Sequence, residues 1–310
     1  MNFFDFKSIL NKEHDDLTGL AVSMQDLIDQ QQYVTYLASS KNRLTSNMAG
    51  DVKSAFKGRG MEFDEVRAYT DGDDVRYIDW RVTARRNEPF SKVYSEEKDR
   101  EIIVLLDMSA SMVFGTRCEL KTVTAAKLAA LIGWISLQNK DRFGLLLYDG
   151  KNTSYYKPQN NLKMLISLFG TIVNKSREVL QQNYDGDIST ALKLFEISHK
   201  GQGTFFILSD FHNVDKESFK NIAAISRRHK VYCINIFDTV EETAPASGVY
   251  AAQSGLTKTV FDTDNPKFQA QYQQYFAAHR TFLQNSCQKF FCNYLEIRTD
   301  KPIFKQLGRI

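Results

Sequence analysis

From Arg100 onward, short continuous apolar runs alternate with longer stretches whose apolar residues recur at helical spacing. The runs are Glu101–Asp107 (EIIVLLD), Phe143–Tyr148 (FGLLLY), Thr204–Leu208 (TFFIL) and Lys230–Ile236 (KVYCINI). Apolar runs without polar alternation suit strands covered by helices on both faces. Between them, Lys121–Leu137, Asn161–Val173, Ser189–Lys200 and Ser218–Arg228 read as helices. The alternation predicts an α/β domain with a doubly wound, mostly parallel sheet. After Asp238 the rhythm breaks. Alternation in Val249–Ala251 and Thr257–Phe261 predicts a hairpin within Gly248–Phe261, followed by a long helix over Lys267–Gln288 and a last strand over Asn293–Arg298.

The text before Arg100 is different. Leu17, Leu20, Met24, Leu27, Ile28, Tyr33, Tyr36 and Leu37 fall at helical spacing and predict one or two amphipathic helices. Residues 44–98 are polar and rich in glycine and aspartate, with short extended pieces expected at Glu65–Tyr69, Arg81–Thr83 and Ser91–Ser95. The expected organisation is therefore N-terminal helices over 1–43, a small strand-containing segment over 44–98, and the α/β domain over 99–310. That domain carries a hairpin and long-helix insertion at about 245–290.

Composition narrows the function classes. The 40 basic and 37 acidic residues leave a net charge of only +3, which gives no electrostatic footprint for nucleic acid or an anionic membrane. No stretch approaches the ~18 apolar residues of a membrane span, and the acidic start has no apolar signal core. Cys118, Cys233, Cys287 and Cys292 form no CxxC pair and read as reduced thiols. The expectation is a cytoplasmic protein, reaching a membrane surface only by way of a partner.

The chemistry concentrates where the first apolar run ends, at Asp107-Met108-Ser109-Ala110-Ser111. Ligands of open α/β sheets bind outside the carboxyl ends of the strands. Residues at i, i+2 and i+4 of an extended turn can converge, offering one carboxylate and two hydroxyls. Such hard oxygen donors suit Mg²⁺, Mn²⁺ or Ca²⁺ rather than zinc. Asp210 ends another strand run and brings a second carboxylate to the same edge; His212 follows it by two residues. The competing reading is a plain turn in which Ser109 or Ser111 caps the next helix. The chain has no P-loop, no G-x-S-x-G elbow and no zinc-spaced histidines. Phe268, Tyr272, Tyr275 and Phe276 recur at helical spacing and read as core or interface packing.

The DMSAS string after a buried strand resembles the metal-ion-dependent adhesion site of von Willebrand factor A domains. There, the D-x-S-x-S residues, a threonine on a later loop and an aspartate on another strand surround one divalent cation. A partner's carboxylate usually completes the shell. Asp107, Ser109, Ser111 and Asp210 match those positions. The threonine position is Gly186, within Asp185-Gly186-Asp187-Ile188; Asp187 offers an alternative oxygen or a helix cap.

A longer likeness precedes that motif. Gly60, Glu62, Phe63, Arg67, Tyr69, Gly72, Asp73, Asp74, Arg76, Ile78, Asp79, Trp80, Ala84 and Arg85, with Glu96 or Glu97 after them, resemble the DUF58 family. Read physically, Arg67, Arg76 and Arg85 alternating with Asp73, Asp74 and Asp79 form either a buried ionic network joining two parts of the fold or a catalytic acid–arginine cluster. Trp80 is expected to pack between this segment and the main sheet.

The resemblance implies a von Willebrand A-like domain whose relatives are often associated with MoxR-type AAA+ ATPases. Three readings follow. The first is a non-catalytic interaction module working with such an ATPase in remodelling or maturation of other proteins. In it, Asp107, Ser109, Ser111, Asp210 and Asp187 hold Mg²⁺ or Mn²⁺, and Met112, Gly186 and His212 form the partner-binding rim. The second is a metal-dependent hydrolase or phosphotransferase using Asp107 and Asp210. In the third the acids only cap helices.

Overall fold

The computed structural model describes residues 17–39, 61–70, 73–96, 100–245, 248–254 and 257–307. The chain divides into two compact units, Ala49–Asp99 and the remainder.

The larger unit is built on a six-stranded sheet. Its strands are β3 (Glu101–Asp107), β4 (Arg142–Tyr148), β5 (Thr153–Gln159), β6 (Gly203–Ser209), β7 (His229–Phe237) and β10 (Asn293–Arg298). Their spatial order is β10-β7-β6-β3-β4-β5. All neighbours are parallel except β4 and β5, which are antiparallel. The expected doubly wound, mostly parallel α/β sheet is present. Numbered within the sheet, this is the 3-2-1-4-5-6 order of doubly wound folds.

The sheet's two faces carry separate cores, as the period-2 geometry of strands requires. Ile102, Val104 and Leu106 of β3 face one core with α4 (Lys121–Gln138) and α5 (Leu162–Gln181). Ile103 and Leu105 face the other with α6 (Ser189–Ser198), α7 (Lys216–Ser226) and the C-terminal part of α9 (Pro266–Lys289). Helix α4 is buried nearly all round, which its sequence KTVTAAKLAALIGWISLQ permits because so few positions are polar. The N-terminal helices α1 (Met24–Asp29) and α2 (Gln32–Ser39) cover α4 from outside. Leu27, Val34 and Leu37 enter its core, and Trp134 Nε1 donates to Leu27 O over 2.9 Å. Ser23 and Asp26 form a reciprocal cap that starts α1.

Strand β5 was not expected from sequence. TSYYKPQ lacks apolar alternation because it is the outer strand, and Pro158 near its end suits an edge position. The expected hairpin is β8 (Val249–Ser254) paired with β9 (Thr257–Asp262). Asn265 caps α9, Pro266 opens it, and β10 then joins β7 as the sixth strand. Short helices α8 (Thr239–Glu242) and α10 (Ile303–Leu307) follow β7 and β10.

The amino-terminal edge of the sheet holds a buried polar cluster. His199, at the end of α6, lies with Nδ1 2.8 Å from Tyr155 Oη and Nε2 3.1 Å from Glu101 Oε2. His229, opening β7, stands 5.3 Å from His199 between ring centroids.

The smaller unit pairs β1 (Met61–Ala68) with β2 (Phe90–Glu96) antiparallel, with one irregularity between Phe63 and Glu65. Arg81–Thr83, expected to be extended, lies instead in helix α3 (Trp80–Arg86). Asp79 accepts from Arg81 N and Val82 N and so caps the helix. The acid–arginine residues also differ from expectation. Arg67 pairs with Asp73 at 2.6 Å and Arg76 with Asp74 at 2.8 Å, each within one local turn, and Arg76's side chain is 87% exposed. Asp79 stands 3.6 Å from Lys92, and Arg85 is exposed in the last turn of α3. These are local surface pairs rather than a buried network. Trp80, the first residue of α3, is 68% exposed. Gly60, Gly72 and Glu97 lie outside the described residues.

Candidate functional site at the switch point of the sheet

Beyond β3 the chain turns to α4 on one face; beyond β6 it turns to α7 on the other. Neighbouring strands that diverge in this way open a crevice at their carboxyl ends. Asp107 is the last residue of β3, Ser209 ends β6 and Asp210 follows it directly, so the crevice receives them all.

The polar groups there form one connected cluster. Asp107 Oδ1 accepts from Ser109 N at 2.9 Å, and Oδ2 accepts from Ser209 Oγ at 2.5 Å. Ser109 Oγ and Ser111 Oγ lie 3.4 Å apart. Ser111 Oγ donates to Asp210 Oδ1 at 3.1 Å, as does His212 N at 3.0 Å. Asp210 Oδ2 accepts from Lys121 Nζ at 2.8 Å, and Lys121 Nζ also donates to Glu241 Oε1 at 2.7 Å.

Each partner is held by local structure. Lys121 is the first residue of α4, is 1% exposed, and donates its N–H to Phe114 O. Glu241 sits in α8, where its Oε2 accepts from Asp238 N in a reciprocal cap. Asp238 in turn accepts from Thr116 N, Thr116 Oγ1 and Thr299 Oγ1. The loop that leads into Lys121 is thus tied to the residue that orients Glu241.

Burial, then the charge of Asp210, pushes the Asp107 carboxyl up to about 6. Burial also opposes ionisation of Asp210, but the Lys121 ammonium beside it wins and holds that carboxyl below its ordinary value. Lys121 is the mirror case: burial disfavours its charge, and Asp210 and Glu241 outweigh burial to raise its pKa.

The remaining expected site residues have distinct positions. Gly186 makes a close backbone approach. A Cβ there would lie 2.0 Å from Gly150 O and 2.4 Å from Tyr148 Oη, so no threonine fits. Asp187 turns both carboxylate oxygens to Ser218 Oγ at 3.1 Å and accepts from Ser189 N, tying the starts of α6 and α7 together. Met112, expected on the rim, is fully buried in the core because the short 3₁₀ turn Ala110–Met112 rolls it inward. His212 is exposed beside Asp210.

These donors do not fit the divalent cation that the resemblance implied. Both oxygens of Asp107 already accept hydrogen bonds, the threonine position admits no side chain, and Asp210 faces an ammonium. The ammonium held at Asp210 opposes a second cation by charge repulsion. Among the described residues, no group of three or more His, Cys, Asp or Glu side chains is arranged to hold a metal ion. Of the cluster's hydroxyls, those of Ser109 and Ser209 are buried, each residue 1% exposed, while Ser111 is half-buried.

Beside the cluster lies a cavity of about 160 Å³ lined by Asp210, Glu241, Asn235, Phe237, His212 and one face of α9. That face comprises Tyr272, Tyr275, Phe276 and His279, at helical i, i+3, i+4, i+7 spacing. Tyr272 Oη donates to Val240 O at 2.7 Å, and Tyr275 stands 70% exposed. Sequence reasoning found Asp107, Ser111 and Asp210 from their strand-end positions but missed Lys121, Glu241 and Ser209. Lys121 carried no local signal, since α4 contains a second lysine, Lys127, that is partly exposed.

A doubly wound α/β domain with an acid–serine motif at its switch point is the class that this fold and site define. Residues 65–282 match the family described as "Protein of unknown function DUF58", and the chain belongs to that family. Uncharacterized proteins of Mycobacterium tuberculosis and Mycobacterium bovis are 28% identical over 272 residues, 87% of this chain and 84% of theirs.

Among solved structures, the conserved hypothetical protein BatB from Bacteroides thetaiotaomicron is 13% identical with a TM-score of 0.40, covering 68% of this chain and 96% of its own. An aerotolerance-related membrane protein from Bacteroides fragilis gives 12% and 0.43, covering 68% and 100%. A von Willebrand factor type A protein from Catenulispora acidiphila gives 12% and 0.31, covering 48% and 35%. Among the described residues, no helix is long and apolar enough to cross a membrane.

Proposed function

We propose that this chain is a non-catalytic interaction module, and that the carboxyl-end edge of its sheet docks a MoxR-type AAA+ ATPase in remodelling or maturation of other proteins. The observation that supports the reading is the cavity beside Asp210 and Glu241, walled by aromatic rings with Tyr275 exposed. Aromatic side chains beside a small cavity are what protein interfaces use as anchors. The polar groups next to them are already satisfied by one another, which suits recognition rather than turnover.

The test is capture of the purified ATPase by wild-type protein and by Tyr275→Ala. Truncating an exposed aromatic anchor is expected to weaken capture by about 30-fold, the equivalent of ~2 kcal/mol, with the melting temperature unchanged. Equal capture by both proteins would remove the cavity from the interface.

A further inference from the structure

We propose that Lys121 is the resident cation of this site: its ammonium takes the place of a divalent metal, and the site keeps its shape without one. The second half of the consequence, that partner capture is metal-independent, rests on the function proposed above.

The arrangement has the parts of a cation site with the cation supplied by the chain. Lys121 Nζ lies 2.8 Å from Asp210 and 2.7 Å from Glu241, with a side chain 2% exposed. Its two acceptors come from different segments at one edge of the sheet, Asp210 from the end of β6 and Glu241 from α8 after β7. The first of these also accepts from Ser111 of the D-x-S-x-S turn. One ammonium therefore joins three strand-end segments, as a central ion does. The ring of Phe114 lies 5.5 Å from Nζ and helps to shield it.

The geometry also explains two departures from a metal-binding pattern by one cause. With a fixed cation already present, no threonine is needed, and its position is filled by backbone: Gly186 lies against Gly150 and Tyr148. With no metal to coordinate, Asp107 is free to accept from Ser209 and Ser109 N instead. The alternative, a metal displacing Lys121 from Asp210, breaks a buried ion pair and leaves the ammonium with Glu241 alone.

The experiment titrates Mn²⁺ into the purified full-length chain, read by calorimetry and by the electron paramagnetic resonance signal of free Mn²⁺, with Ser111→Ala as control. No saturable binding up to millimolar Mn²⁺ is expected, and no change in melting temperature with millimolar Mg²⁺. Saturable binding below millimolar that disappears in Ser111→Ala overturns the proposal.

Lys121→Met keeps the length of the side chain and removes its charge. It is expected to melt lower than wild type without metal and to gain at least about tenfold in Mn²⁺ affinity. A folded Lys121→Met protein that melts like wild type, or ignores Mn²⁺, also overturns it; should that variant not fold, the wild-type titration decides.

Capture of the ATPase in the presence of EDTA separates the two proposals. Capture that survives EDTA supports both. Capture abolished by EDTA, together with saturable Mn²⁺ binding by this chain alone, overturns the metal-free site and leaves the interaction standing; without that binding the loss belongs to the Mg²⁺ that the ATPase holds with its nucleotide, and the metal-free site stands. Failure to capture under any condition removes the proposed function, while the Mn²⁺ titration still reads the role of Lys121.

Discussion

His229 makes the stability of this fold sensitive to acid, and the effect has a calculable size. Its ring opens β7 and is 5% exposed, and its Nδ1 has no hydrogen-bond partner among the described residues. The groups around it are Phe195 and His199 of the α6 end, Phe205 of β6 and the neighbouring Arg228. Glu101, Arg142 and Tyr155 face His199 behind it. Burial, then the charges of His199 and Arg228, lowers its pKa from 6.5 to about 4. In the unfolded chain the ring takes up a proton below about pH 6.5; in the folded chain it waits until about pH 4. Between those values the unfolded state binds more protons, so stability falls as the pH falls. The loss from this one group is about 2 kcal/mol at about pH 5 and close to zero at about pH 7.5.

Replacing His229 with leucine, an apolar side chain of similar bulk, removes the titration and leaves His199 in place. Urea unfolding of both proteins at the two pH values gives the answer. The variant's advantage over wild type is expected to widen by about 2 kcal/mol on acidification, or about 4–8 °C in melting temperature. A gap that is the same at both pH values would refute the reasoning, because it would mean that His229 protonates equally in the folded and unfolded chain.

Two further substitutions probe the site's framework. Gly186→Thr places a side chain where Gly150 O and Tyr148 Oη already stand; it is expected to cost roughly 3 kcal/mol or more in stability, measured by thermal melting, rather than to create a metal site. Asp238→Ala removes the acceptor shared by Thr116, Thr299 and the start of α8. About 2–3 kcal/mol of stability should be lost, and hydrogen exchange at Val240 and Glu241 should speed up as the helix that orients Glu241 frays.

How much of this was legible in the sequence depended on the range of the interaction that decided each feature. Strands β3, β6 and β7 are apolar on both faces because helices cover both, and such runs announce themselves locally. β5 has one open edge and a polar, proline-containing text, so its strand nature comes only from pairing with β4. Arg81–Thr83 reads as extended from its alternation, but Asp79 captures two free N–H groups and starts a helix. Asp107, Ser111 and Asp210 could be associated from sequence because each stands at or just past a strand end, and topology brings strand ends to one edge. Lys121 could not, because its partners lie 89 and 120 residues away and nothing in its neighbourhood marks a lysine as buried. Met112 failed for the opposite reason: a three-residue turn, invisible to periodicity, rotates it from the rim into the core.

The placement of α9 has a consequence for the order in which the molecule is made. Synthesis delivers β3, β4, β6 and β7 by residue 237, so the central sheet and helices α4 to α7 emerge before any of α9. The hairpin β8–β9 then intervenes, and α9 brings Tyr272, Tyr275, Phe276 and His279 against the finished strand ends. A nascent chain thus exposes Asp210 and Phe237 with one wall missing, and the cavity comes into existence only with the last quarter of the polypeptide. Truncated or prematurely released chains carry the sheet without the aromatic wall of that cavity.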